Sequence, residues 1–176
     1  YQISGKKISY NNLIDLDSGL KCLSEFDEPT SVIIKHTNPC GVASAKNILN
    51  AFLNSYNSDP KSAFGGIILL NRKVNLKLAK KVSEHFFEII VAPRFDKNAL
   101  INLKKRKNLI ILKLPDTKKQ ILEHKTTIFG ELYQTIDTEK ITRKFIELKS
   151  NKKVPLKSVD DLIFALKVVK HLKSNA

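Results

Sequence analysis

Ile67-Ile68-Leu69-Leu70, a helical stretch from Leu76 to Phe87, and Ile89-Ile90-Val91-Ala92 form the segment that decides the fold. Each apolar quartet is too short for a buried helix, is rich in β-branched residues and carries no polar residue, which is the pattern of a strand covered on both faces. A helix joining two such strands is a crossover connection, and crossovers make parallel pairs. The unit continues on either side. A helix around Lys97 to Lys105 leads to another strand, Leu109-Ile110-Ile111-Leu112. Upstream, Ile48, Leu49, Phe52, Leu53 and Tyr56 recur at helical spacing until Ser58-Asp59-Pro60 breaks the period, and Val32-Ile33-Ile34 is a further short buried strand. The class is α/β, with a mainly parallel sheet and helices on its faces.

The ends are less regular. Gln2 to Asn12 reads as a loop feeding a helix in which Leu13, Leu16, Leu20 and Leu23 share a face up to Phe26, where Asp27-Glu28-Pro29 stops it. Thr127 to Tyr133 alternates and fits an antiparallel or edge strand. Ser158 with Asp161 resembles a capping box, ahead of a stripe of Leu162, Ala165, Leu166, Val169 and Leu172.

With 176 residues and 42% apolar content, the chain can bury one substantial core, as one domain or one lobe of a larger one. It begins at Tyr1 and contains no methionine, so it reads as a piece of a longer protein. No apolar run is long enough to span a membrane and no secretory leader opens the chain. Two cysteines, Cys22 and Cys40, are too few for a disulfide framework, and a cytoplasmic setting is the simplest fit. The net charge of +14 raises nucleic acid as a partner. Arginine, however, stands only at Arg72, Arg94, Arg106 and Arg143, and basic residues are not interleaved with aromatics. Base readers and single-strand binders need those features, so the charge reads as a solvated lysine surface.

The chemistry concentrates in Lys35-His36-Thr37-Asn38-Pro39-Cys40-Gly41, directly after the strand at Val32. A Pro/Gly turn there would present Lys35 and His36 at the carboxyl end of a strand, where open α/β sheets bind ligands. A Pro-Cys pair near a histidine raises zinc deamination, but no histidine has a Glu two residues on, and Cys40 lacks the second thiolate of Pro-Cys-x-x-Cys. Cys40 as a nucleophile lacks an oriented base and an oxyanion hole. Gly65-Gly66 is too short for a phosphate loop. What survives is a Lys/His pair working by proton transfer and electrostatics: a neutral imidazole accepts a proton, and an ammonium steadies charge or returns one. Such a pair suits passage of an acyl group between two nitrogens.

Gly5 to Asn12, Lys35 to Gly41, Asp59 to Ile67, Phe87 to Pro93 and Lys167 to Asn175 resemble, in order, blocks of the AICAR transformylase/IMP cyclohydrolase family. The resemblance implies a three-layer cytidine-deaminase-like α/β fold without zinc, with a mixed, mostly parallel sheet and helices on both faces. It also implies that residues 1–176 are the amino-terminal lobe of the transformylase domain, with the cyclohydrolase domain and second transformylase lobe outside the chain. The family moves a formyl group from 10-formyltetrahydrofolate, its cosubstrate, to the amino group of AICAR. On this sequence Lys35 and His36 match its catalytic pair, and Gly65, Glu88 and Asn175 match substrate-binding positions. His171 reads as structural. The resemblance further implies a homodimeric parent with sites at the subunit interface. It places the folate- and phosphate-binding residues elsewhere, so that this piece is inactive alone. The competing reading is a noncatalytic, lysine-rich module that binds RNA or nucleotides.

Overall fold

The computed structural model describes residues 1–114, 122–149, 151–152 and 154–173. They fall into two compact units, one comprising Tyr1–Pro115 with Phe164–Ala176 and the other Asp116–Ile163.

The first unit is built on a six-stranded sheet. Its strands are β1 (Gln2–Ser4), β2 (Thr30–Lys35), β3 (Asn38–Ser44), β4 (Ile67–Leu70), β5 (Ile89–Ala92) and β6 (Ile110–Lys113), in the order β1-β6-β5-β4-β2-β3. The helices are α1 (Tyr10–Leu23), α2 (Ile48–Ser58), the single turn α3 (Pro60–Ala63), α4 (Leu76–Ser83) and α5 (Lys97–Leu103). As the apolar quartets predict, β4, β5 and β6 are neighbours in parallel, linked through α4 and α5. Both flanks are antiparallel: β1 pairs with β6, and β2 pairs with β4 and with β3. It follows that β3, β4, β5 and β6 share one direction, while β1 and β2 run against them.

Alternate side chains of the strands feed two cores. Ile33, Ile68, Leu70, Ile90, Ala92 and Ile111 pack with α2, α4 and α5, led by Phe52, Leu78 and Leu103. Val32, Ile34, Ile67, Leu69, Ile89 and Ile110 pack with Leu16, Cys22 and Leu23 of α1, joined by Phe164 and Val168. The result is three layers, helix on sheet on helix. Fully burying a Leu, Ile or Phe side chain contributes on the order of 2 kcal/mol, and unbroken apolar strands gain this on both faces.

Several expectations need correction. The segment from Gln2 is not all loop, because Gln2–Ser4 pairs along β6. Gly5 then turns at φ +99, so close to the β6 backbone that a Cβ would collide with the Leu109 carbonyl. Helix α1 starts at Tyr10, earlier than the leucine spacing suggests, because Ser9 caps it and Asn12 completes the capping box. It also ends earlier, at Leu23. Helix α4 stops at Ser83, whose hydroxyl bonds back to the Ala79 carbonyl, and the chain reaches β5 without further helix.

The largest correction concerns Asn38 to Gly41, which lies in a strand. Pro39 is tolerated because β3 is an edge strand, and the register steps from Ile34↔Pro39 to Ile33↔Gly41, leaving Cys40 as the extra residue of a bulge. Gly41 is required by α2, since a Cβ there would run into the Ser55 carbonyl.

In the second unit, the stretch expected as one strand over Thr127 to Tyr133 is a hairpin, β7 (Leu122–Thr127) and β8 (Gly130–Thr135). Ile128 and Phe129 form its tip, and Gly130 follows at φ +122. A 3₁₀ turn follows at Arg143–Phe145, where Arg143 pairs with Asp160 at 2.7 Å.

The last helix, α6, spans Leu156–Val169 and crosses from the second unit's residues into the first's. Ser158 lies within it, two residues past its start, and so is not the residue that precedes the helix. Leu162, Leu166 and Val169 of the expected stripe are exposed, and Phe164 and Val168 are the residues that pack on the core.

Candidate functional site

Strand β2 delivers Lys35 and His36 to one end of the sheet, and the hairpin to β3 closes there. Lys35 pairs with Asn38, so His36 and Thr37 are the whole turn. Both have positive φ, 53° and 65°. A two-residue hairpin with this backbone is favoured by the twist of its strands and normally carries Asn-Gly. A histidine and a β-branched threonine at those positions cost about 1–2 kcal/mol each. Two side chains repay this from opposite sides. Asp15 Oδ1, from α1, accepts the Thr37 N–H at 2.7 Å. Asn38 Nδ2 donates to the His36 carbonyl at 3.3 Å. The His36 ring is left exposed.

Sheet register aligns the other positions with this turn. Ile34, Ile67 and Ile89 are lateral neighbours, so Lys35, Gly66 and Glu88 form the next row outward, spread over about 10 Å by two strand spacings. Backbone bonds tie the row together. Lys35 Nζ donates to the Phe64 carbonyl at 2.8 Å, Gly65 N–H to the Phe86 carbonyl at 2.9 Å, and Glu88 N–H to the Gly66 carbonyl at 3.0 Å. Gly65 takes φ +74, with only the Phe86 ring near its absent Cβ, so conformation and not space demands glycine there. Asp59 caps α3 ahead of it through the Ser62 N–H and hydroxyl, and those bonds hold its carboxyl below the usual range.

The row sits at the carboxyl end of β2, as the sequence implies, but at the amino ends of β4 and β5. The strand-end rule for parallel sheets therefore misplaces it: β2 is reversed, and what meets at this edge is one outgoing strand and two incoming ones.

Lys35, His36, Gly65 and Glu88 are thus brought to one sheet edge. Asn175 lies outside the described residues. The chain leading toward it is fixed nearby, since Asn38 Oδ1 accepts the Lys173 N–H at 3.1 Å. Sequence reasoning missed three polar neighbours. Asn12 Nδ2 donates to Glu88 Oε2 at 3.2 Å, and Lys6 Nζ lies 3.8 Å from the same oxygen, so the first turn of α1 and the strap before it line the row. Asp15 is the third. The capping box at Ser9 signals where α1 begins, but only the register of the sheet shows what its first turns face.

Cys40 is no nucleophile in waiting. Its thiol faces the Ile33 carbonyl at 3.5 Å, and burial pushes it up to about 11. Cys22 is buried on α1 and pushed to about 12 by the same cause. His171, expected as structural, sits largely buried with its Nε2 3.1 Å from Glu25 Oε1. Lys170 Nζ shares that oxygen at 3.0 Å. Among the described residues no three His, Cys, Asp or Glu side chains cluster in a way that would hold a metal, and no helix is long and apolar enough to cross a membrane.

Comparison with known proteins gives this edge its context. A family model described as AICARFT/IMPCHase bienzyme matches residues 1–176. The bifunctional purine biosynthesis protein PurH of Caldicellulosiruptor saccharolyticus is 48% identical over 177 residues, covering 99% of this chain and 34% of that protein. The proteins of the same name from a Thermoanaerobacter species and from Buchnera aphidicola are 45% and 42% identical, each over 99% of this chain and 34% of their own length. The chain therefore spans about a third of the length of the curated relatives it matches. The match extends from the Gly5–Asn12 strap through the Lys35–Gly41 hairpin to the last helix, and the chain belongs to the AICARFT/IMPCHase bienzyme family.

Proposed function

We propose that this chain is the amino-terminal lobe of an AICAR transformylase domain, acting in purine biosynthesis as part of a longer protein that also carries IMP cyclohydrolase activity. The observation that carries the reading is the join between family and geometry. A family match over every residue coincides with a sheet edge where Lys35, His36, Gly65 and Glu88 meet, from three strands far apart in sequence.

In this reading AICAR lies along the row. Glu88, oriented by Asn12 and Lys6, accepts hydroxyl hydrogen bonds from the ligand, and Gly65 lets the ligand approach backbone. Asn175 orients the carboxamide. The amine of AICAR attacks the formyl carbon of 10-formyltetrahydrofolate, and the bond from that carbon to N10 of the folate breaks. The proton lost by the amine passes to the His36 imidazole. Lys35, whose ammonium stands at the Phe64 carbonyl, supplies a proton to the departing N10 and steadies the negative charge on the formyl oxygen meanwhile. Folate and phosphate binding fall to parts of the longer protein outside this chain, and the complete site forms at the subunit interface of a homodimer.

The test is His36→Ala in that longer protein. Loss of a proton-transfer residue is expected to lower formyl transfer by about 10²–10⁴-fold while IMP cyclohydrolase activity stays within about twofold. Unchanged formyl transfer overturns the reading.

A further inference from the structure

The turn that carries His36 is held in an unfavourable backbone by two residues that themselves touch nothing reactive. We propose that Asp15 and Asn38 are positioning residues for His36, and that Asp15 is the dominant one. This deepens the formyl-transfer reading and rests on it only for its kinetic consequence.

Three observations support the assignment. His36 and Thr37 both have positive φ, a backbone that the two-residue hairpin favours but neither residue type prefers, so contacts from outside the turn add to the strand pairing in holding it. The Thr37 N–H is the first point of contact. It points out of the hairpin and is taken at 2.7 Å by the Asp15 carboxylate, a charge-assisted bond reaching from α1 across 22 residues of sequence. Asn38 then works from the other side. Its Nδ2 holds the His36 carbonyl and its Oδ1 accepts the Lys173 N–H, so one amide links the turn to the chain that runs on toward Asn175. Within the turn, the Thr37 hydroxyl donates to the His36 carbonyl at 2.6 Å. The imidazole itself is exposed, so its direction is set by the backbone beneath it and not by packing around the ring.

The consequence is specific. Removing the Asp15 acceptor should let the turn relax and the ring swing, which affects the step that needs an aligned base more than it affects nucleotide binding. Asp15 is partly exposed on a helix, where alanine is the best helix former, so Asp15→Ala retains the fold.

The experiment has two arms. In this chain, NMR reads the turn through the intraresidue amide-to-Hα NOEs of His36 and Thr37, which are strong at positive φ, and through hydrogen exchange of the Thr37 amide. Asp15→Ala is expected to weaken both NOEs and speed that exchange by about tenfold or more, the loss of one charge-assisted bond. In the longer protein, Asp15→Ala is expected to lower kcat for formyl transfer by about 10- to 100-fold with KM for AICAR moving less than about threefold. Asp15→Asn, which keeps an acceptor oxygen, should restore kcat to within about fivefold of the unsubstituted protein. Asn38→Ala should have the same sign as Asp15→Ala and a smaller effect. NOEs and exchange unchanged in Asp15→Ala overturn the positioning role. So does a relaxed turn with unchanged kcat in a protein that His36→Ala inactivates. A relaxed turn together with full activity in His36→Ala leaves Asp15 as the holder of the turn and overturns the functional reading instead.

Discussion

Gly41 is a position where a single added methyl group collides with backbone. Helix α2 lies directly on its backbone, with the Ser55 carbonyl occupying the space a Cβ needs. Backbone has no rotamer to change, so relief requires α2 to move off the sheet. Gly41→Ala is expected to destabilise the protein by about 1–3 kcal/mol, read as a lower denaturant midpoint with an unchanged slope. The glycine just before β4 behaves differently. Gly65 has room but an unfavourable φ of +74, so its cost comes from conformation and not collision. Two glycines in similar sequence contexts thus serve a packing contact and a backbone shape, and only coordinates separate the two.

At the level of elements, the residues just after α6 are anchored on those just after α1 by a largely buried ion cluster. Glu25 accepts from Lys170 and from His171, and the Phe26 ring lies 5.2 Å from Phe164 beside them. Desolvation holds His171 below the ordinary histidine range, with Lys170 and Lys21 acting in the same direction and Glu25 opposing them. The folded value is therefore the lower one, and the unfolded state binds the proton first. The stability that depends on burying a neutral His171 ring is present above about pH 6.5 and is lost as pH falls through the range between the unfolded and folded values. Amide exchange in residues 166–172, compared at pH 7.5 and pH 5.5 after correction for intrinsic rates, is expected to lose protection at the lower pH. His171→Gln should flatten that dependence. The elements themselves were legible to different degrees. Strands β4 and β5 could be read to the residue, because four consecutive buried apolar positions have few other uses. Strand β3 could not, because Pro39 and Gly41 imitate a turn for reasons of edge position and α2 packing that belong to tertiary structure. The stripe on α6 was misread because a helix with apolar residues on more than one side has no period that names its buried face. At the site, Lys35 and His36 stood out by residue type, and Gly65 and Glu88 by resemblance. Lys6, Asn12 and Asp15 did not, since their importance lies in which strand end they happen to meet.

For the whole molecule, sequence conveys the existence of strands better than their direction. An apolar quartet reads the same both ways along the sheet, and the reversal of β2 decides which ends gather at the site. The two units also differ in how they are held. The sheet of the first is covered on both faces, whereas in the second β8 is exposed throughout and the hairpin tip leaves Ile128 93% and Phe129 95% exposed. An isolated two-stranded hairpin is marginal in water, and exposed loop tips are where proteases cut. Brief chymotrypsin treatment is expected to cleave after Phe129 before any bond in residues 30–114, as read by mass spectrometry; early cuts within β4 or β5 would contradict the burial of that sheet.

The His36-Thr37 turn carries one more implication. Asn-Gly would fit that bend without strain, so durability and chemistry pull these positions in opposite directions. A variant library screened only for resistance to heat would drift toward glycine at 37 and, in doing so, discard the rigidity that aims the His36 ring, the base of the proposed reaction.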